Sequence, residues 1–165
     1  MAHIENKLEW CLRKAKNEGE KHRGLKEVKP DMDKSSKHIV KADHNLKAML
    51  YLNKGGFSDW AVSASFYARY HCLLALLAKH GYESKNQECT FAAIENLIKN
   101  NKVSIDVKLL RKITSFEDDL EKEDLIKLRE DFQYGSETEY ESEKIRTLID
   151  DTTELIRIVK EEIKK

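Results

Sequence analysis

The chain reads as an all-α protein, an up-and-down bundle of five or six helices with one helix enclosed by the others. Three observations lead there. Apolar residues recur at three- and four-residue spacing in segment after segment. Only one proline and six glycines interrupt 165 residues rich in Lys, Glu and Leu, a composition that favours helix. Between Asp59 and Lys79 the only formal charge is Arg69, in a chain where 36% of residues are charged, so this stretch is expected to be surrounded by protein on nearly every side. The length suits one domain with its own core. Residues 1–165 are read as that domain, with a first helix and a charged loop (1–32) set before the main body.

Residues 2–18 put Ile4, Leu8, Cys11, Leu12 and Ala15 on one stripe, which makes a first amphipathic helix. From Lys16 to Pro30 the density of charge, Gly19, Gly24 and the terminating proline predict a frayed end and a loop. A second helix is expected to start between Asp33 and Ser36 and to run to about Asn53, with Ile39, Ala42, Leu46, Met49, Leu50 and Leu52 inward. Gly55-Gly56 reverses the chain, and Ser58 is the expected N-cap of the central helix. There, small residues such as Ala61, Ser65, Ala68 and Ala75 permit close helix approach. Phe66, Tyr67, Tyr70 and His71 form an aromatic and polar cluster at mid-height, and Trp60 is expected in the core at one end.

His80-Gly81 supplies a helix stop, a residue that tolerates positive φ preceded by a group that suits the dipole. After a loop to Asn86, Thr90 is the expected cap of a short helix carrying Phe91, Ala92, Ile94 and Leu97 and ending near Asn100-Asn101. Ser104 or Asp106 opens a segment through Leu109, Leu110, Ile113 and Phe116, and the acidic run Glu117–Asp124 bends it or separates two helices. The final helix, about Tyr140 to Lys164, carries Ile145, Leu148, Ile149, Thr152, Leu155, Ile156, Val159 and Ile163 at near-heptad spacing. The one candidate strand, Lys102 to Val107, is short and ambiguous. The final and central helices offer more apolar positions than one small bundle covers, which predicts a homodimer.

The net charge is zero but unevenly spread: 13 basic against 8 acidic residues in 1–54, 8 against 5 in 55–114, and 9 against 17 in 115–165. Neighbouring basic and acidic helices account for this gradient. A basic N-terminal face for a phosphate backbone is the functional alternative, weakened by the overall neutrality. Cys11, Cys72 and Cys89 share no metal-ligand spacing and cannot all pair within one chain, so they are read as the reduced thiols of a cytoplasmic protein. The N-terminus does not read as a signal peptide. Trp60–Ala78 has the length of a membrane span, yet Arg69, His71, two tyrosines and several serines argue for a buried helix and against a membrane.

No metal or cofactor is implied. His38 and His44 are six apart and do not share a helical face, Glu88-Cys89 lacks neighbouring ligands, and there is no glycine-rich phosphate loop or nucleophile elbow. The acidic run is read as a solvated face, with divalent-ion binding or a basic partner left open.

Chemistry concentrates in Lys127-Leu128-Arg129-Glu130-Asp131-Phe132-Gln133-Tyr134-Gly135 and around His71. Arg129 can hold a phosphate bidentately. On an unbroken helix Tyr134, five residues on, lies roughly 140° away and converges with Arg129 only if the helix unwinds near Gly135. Otherwise Arg129 pairs with Glu130, Asp131 or another acidic neighbour, and Tyr134 packs at a helix end. Tyr67 and His71 are four apart on one face. With Arg129 on a phosphate and a tyrosine stacked on a base they suggest a nucleotide site, while a buried histidine satisfied by a neighbouring helix is the simpler account. Arg69 is expected to emerge at a cleft or dimer surface, or to form a salt bridge.

Ala42, Leu46 and Leu50, the turn Lys54-Gly55-Gly56, Ala61 with Phe66-Tyr67-Ala68-Arg69-Tyr70-His71, and the later Arg129-Glu130-Asp131 together resemble the HEPN family. Its members are small helical proteins often encoded beside minimal nucleotidyltransferases. The resemblance covers the chain from about Asp43 to the C-terminus. In nuclease members an Arg precedes a His by four to six intervening positions, and two such motifs meet across a symmetric dimer to cleave RNA. The resemblance maps that Arg onto Arg129. The nearest His position falls on Tyr134, and no histidine follows His80.

Metal-independent cleavage needs a base and a proton donor, roles that imidazole fills with a pKa of about 6.5, whereas a phenol at about 10 donates hydrogen bonds but is a poor base. The resemblance thus implies a nucleotide- or RNA-associated interaction protein with a degenerate catalytic pair, Arg129 and Tyr134, and ligand contacts from Arg129, Tyr67 and His71. It also implies a homodimer partnered with a minimal nucleotidyltransferase in a toxin–antitoxin-type system. The alternative is a metal-independent ribonuclease using Arg129 and Tyr134.

Overall fold

The computed structural model describes residues 2–106, 109 and 125–165. Six helices and one two-stranded ribbon make up these residues: α1 (Ala2–Glu18), a 3-10 turn (Gly19–Lys21), β1 (Leu25–Glu27), α2 (Met32–Lys54), α3 (Ser58–Lys79), β2 (Tyr82–Ser84), α4 (Gln87–Lys99), α5 (Leu125–Tyr134) and α6 (Ser142–Glu162). The all-α bundle stands, with a small sheet added. The acidic run Glu117–Asp124 and most of the segment before it lie outside the described residues.

Helix α3 is the axis. Its buried residues run from Ser58 to Ala78 and include Val62, Phe66, Leu73, Leu76 and Leu77. Its C-terminal half joins Cys11, Leu25, Ile39, Ile94, Leu97, Leu155 and Val159 in one core cluster. Its N-terminal half packs with Met49, Leu128 and Ile145 in a second. Among the described residues α3 alone is long and apolar enough to cross a membrane, and two thirds of its most apolar 18-residue stretch is buried inside the fold.

The lone charge of α3 is enclosed. Arg69 is 1% exposed, which corrects the expectation that it emerges at a surface. Its Nε donates to Thr152 Oγ1 at 2.9 Å and its Nη2 to the Leu148 carbonyl at 3.1 Å. Thr152 also donates to Leu148 O, so Ser65 Oγ donates to Thr152 at 2.9 Å. Burial pulls the guanidinium down to about 10, partly offset by Asp151, which leaves it charged at neutral pH. On the opposite flank, Ser35 Oγ donates to the Ala75 carbonyl at 2.8 Å and binds α2 to α3.

The segment read as a loop holds β1, which pairs antiparallel with β2 in the register Leu25↔Ser84, Lys26↔Glu83, Glu27↔Tyr82. Three-residue strands with Leu25 as the one inward side chain of β1 leave no alternation to read. Close approach sets the glycine: a Cβ on Gly24 would lie 2.6 Å from Cys11 O and 2.8 Å from Ala15 N. Cys11 and Cys89 form a disulfide, with Cα atoms 5.7 Å apart, and Cys72 is the buried free thiol. The expectation of three reduced thiols is corrected, and the cytoplasmic setting inferred from it loses that support. The pairing depends on α1 lying against α4, which no cysteine spacing encodes.

Local details differ as well. Asp31 caps α2, accepting from Lys34 N at 2.8 Å. Asn86, not Thr90, caps α4 through Cys89 N. Ser58 is the first residue of α3 rather than its cap, and its hydroxyl accepts from Tyr140 N at 2.9 Å. Trp60 is 60% exposed and Leu50 45%, so neither is core. Replacing Leu76, fully buried on the axis helix, by alanine is expected to cost about 2–5 kcal/mol. Replacing half-buried Leu74 is expected to cost clearly less, as urea denaturation midpoints at constant slope will show.

Candidate functional site

Helix α5 lies against the N-terminal half of α3 and turns Leu128 and Arg129 inward. Arg129 is 8% exposed. Its guanidinium carbon sits 4.3 Å above the Phe66 ring centre and 5.9 Å from that of Tyr67, a cation held on an aromatic face. Its one hydrogen bond among the described residues runs from Nη2 to Glu130 Oε1 at 3.3 Å. Nε is buried and has no partner there. A guanidinium carries five donors, so among the described residues most of its hydrogen-bonding capacity is unspent.

The platform under it is well held. Phe66 stacks on Tyr70 with ring centres 5.8 Å apart and meets Tyr67 edge-on at 5.3 Å. Tyr70 meets Phe91 of α4 edge-on at 6.5 Å. The Tyr70 hydroxyl lies 3.0 Å from Thr90 Oγ1. Because Thr90 can give its single proton to the Asn86 carbonyl at 2.9 Å, Tyr70 is the donor in that pair.

Of the residues the sequence singled out, Arg129 and Tyr67 come together. Tyr67 is 44% exposed beside the guanidinium. His71, one turn along α3, is bound to α2: its Nδ1 lies 3.0 Å from Nδ1 of His38. Burial, then His38 and Lys41, holds His71 down at about 4, and burial with Lys34 lowers His38. Both rings are therefore neutral at pH 7, one donating through Nδ1–H and the other accepting.

Tyr134 ends α5 at 80% exposed. The helix is continuous to that residue, and Gly135 N closes its last turn on the Asp131 carbonyl at 2.8 Å. Five residues at 100° each leave Tyr134 roughly 140° from Arg129. Within one protomer the two side chains do not share a face, and unwinding before Gly135 does not occur.

Phe66 as the seat of Arg129 and His38 as the partner of His71 were not legible in advance. The mid-height aromatic cluster was the available signal for the first. The second needs α2 and α3 set side by side. Among the described residues no group of three or more His, Cys, Asp or Glu could hold a metal ion.

The family model of the HEPN domain matches residues 35–163. It begins ahead of the motif residues and leaves α1 and β1 outside. No curated protein matches the chain.

The histidine pair predicts a pH dependence. In the folded state His71 binds its proton only near pH 4, while an unfolded histidine does so near 6.5. The unfolded state therefore takes up more protons in that interval. The contribution is complete above about pH 6.5 and is lost as pH falls towards 4. Urea denaturation across this range is expected to show the loss, and His71→Gln to flatten it; an equal slope in the two proteins counts against the pair.

Proposed function

The chain belongs to the HEPN family, and from that premise we propose that it is a nucleotide- or RNA-associated protein whose Arg129 holds a phosphate oxygen. The observation that carries the reading is the state of Arg129: nearly buried, stacked on Phe66, bound only to the adjacent Glu130 among the described residues, and with Nε unpartnered. A buried cation with unmet donors is costly. An oxyanion that accepts from two guanidinium nitrogens removes that cost, and the low local dielectric strengthens the contact. Tyr67, exposed beside the guanidinium, offers a ring for a base to stack on.

The catalytic part of the proposal is a degenerate nuclease motif. A phenol in the place of the family's histidine is a poor base near neutrality, and Tyr134 stands on a different face of α5 from Arg129. The wider setting we propose, partnership with a minimal nucleotidyltransferase in a toxin–antitoxin-type system, draws its support from the family alone.

Arg129→Ala is expected to weaken binding of a labelled mixed-sequence oligoribonucleotide, with the slope of log affinity against log salt reduced by about 0.7, as one phosphate contact is lost from a single strand. Arg129→Lys is expected to recover part of the affinity, as a point charge without the bidentate fork. Unchanged anisotropy titrations for Arg129→Ala would sink the phosphate reading. Wild-type protein in excess chelator is expected to leave the RNA essentially intact. Robust cleavage that Tyr134→Phe abolishes would replace the degenerate-motif reading with the ribonuclease alternative.

A further inference from the structure

A half-open cavity of about 160 Å³ lies between the first turns of α2, the C-terminal half of α3 and β2. Its floor is apolar. Leu77 is 1% exposed and Ala78 2%, and half-buried Leu74 and Tyr82 form the sides. An apolar cavity of about 150 Å³ takes a single benzene ring, so an occupant here is limited to one ring or a branched chain of similar bulk. Polar side chains reach the cavity from Lys34, Glu83 and Lys85, all partly exposed and therefore at its mouth. A few polar groups around an apolar floor are the usual makings of a small-molecule site.

The mouth carries one more positive charge than negative. Glu83 gathers Lys34 Nζ at 2.7 Å, the ring of buried His22 at 3.3 Å and Lys85 Nζ at 3.9 Å. The Lys34 hydrogen bond above all holds its carboxyl below the usual range, so Glu83 is an anion at neutral pH. His22 adds no charge, because its Nδ1 accepts from Gly24 N at 3.3 Å and its Nε2–H is left for Glu83. His38, which also lines the cavity, is neutral as well. Lys34 and Glu83 cancel each other. Lys85 stands off: its one hydrogen bond among the described residues is a long one, 3.4 Å, to the Glu20 carbonyl.

We propose that this cavity binds a small apolar monocarboxylate, with its ring or branched chain on Leu77 and Ala78 and its carboxylate at Lys85. The two ends of such a ligand meet two different demands. Its body takes the place of water over the apolar floor, and a charge-assisted hydrogen bond to Lys85 fixes its direction without breaking the Lys34–Glu83 pair. A second negative charge would find no surplus cation and would face Glu83. A cation would face Lys34 and Lys85. A neutral ring fits the floor but leaves Lys85 unused. Arg129 lies against the N-terminal half of α3, on Phe66, so the inference does not depend on phosphate binding there.

Titration with benzoate, benzyl alcohol and benzylammonium, followed by amide chemical shifts, tests it. Benzoate is expected to move the amides of Ala78, Tyr82 and Ser84 and to leave that of Thr153, exposed on α6, in place. Benzyl alcohol is expected to bind about tenfold more weakly, for want of one charge-assisted hydrogen bond, and benzylammonium not measurably. Lys85→Gln is expected to weaken benzoate about tenfold and to leave benzyl alcohol unchanged, whereas Glu83→Gln, which removes the one negative charge of the mouth, tightens benzoate. Damage to the ribbon would weaken both variants, so the opposite signs separate charge from structure. The comparison of probes on the wild-type protein stands even where a variant fails to fold. No shift at the cavity amides, benzoate bound no better than benzyl alcohol, or Lys85→Gln and Glu83→Gln moving benzoate the same way overturns the inference.

Discussion

The fold depends on giving a home to one positive charge. Arg69 sits midway along α3 on the face turned into the bundle, 1% exposed, and an unpaired guanidinium there would cost several kcal/mol. The Thr152 hydroxyl and the Leu148 carbonyl, both from α6, receive it, and Ser65 completes the group. The helix must then meet α6 at one depth and one rotation, since a shift of one residue would turn Thr152 away. This contact sets how α3 is rotated in the bundle, and so which of its side chains face inward and which, like Trp60 and Tyr67, stay exposed.

Two arginines of the same chain show how burial and satisfaction come apart. Arg69 has Nε and Nη2 bonded to groups that belong to the fold. Arg129 is nearly as buried, rests on an aromatic ring, and spends one donor on its own neighbour Glu130. Selection for stability alone favours the first arrangement. The second leaves guanidinium donors without partners among the described residues, and donors fixed in place beforehand would meet an oxyanion with little reorganisation, which is what the proposed phosphate contact asks of Arg129.

What the sequence disclosed was local. Helix spans followed from the 3.6-residue period, and the ends of α1, α2 and α6 fall within about two residues of their expected places, the usual uncertainty of helix boundaries, while α4 begins about four residues earlier than a Thr90 cap implies. Caps were read less well, because Asp31 and Asp33, or Asn86 and Thr90, are equally good by type and only backbone geometry separates them. The burial of Arg69 was hidden because its partner Thr152 is 83 residues away. Trp60 misled for the opposite reason: its size suggests core, while its angle on the helix places it opposite Val62. The aromatic cluster was visible as a cluster, but which ring would carry Arg129 depended on where α5 lies.

The bond between Cys11 and Cys89 spans 78 residues, and that ring contains the whole of α2, α3 and the ribbon. Mechanically the chain is a loop with two tails. Tension applied at its ends reaches Cys11 from one side and Cys89 from the other and passes straight across the sulfur bridge, leaving the axis helix out of the line of force. A fully stretched molecule would fall short of its contour length by roughly 3.3–3.6 Å for each enclosed residue. The domain's central helix, with α2 and the ribbon beside it, is thus shielded from being pulled apart.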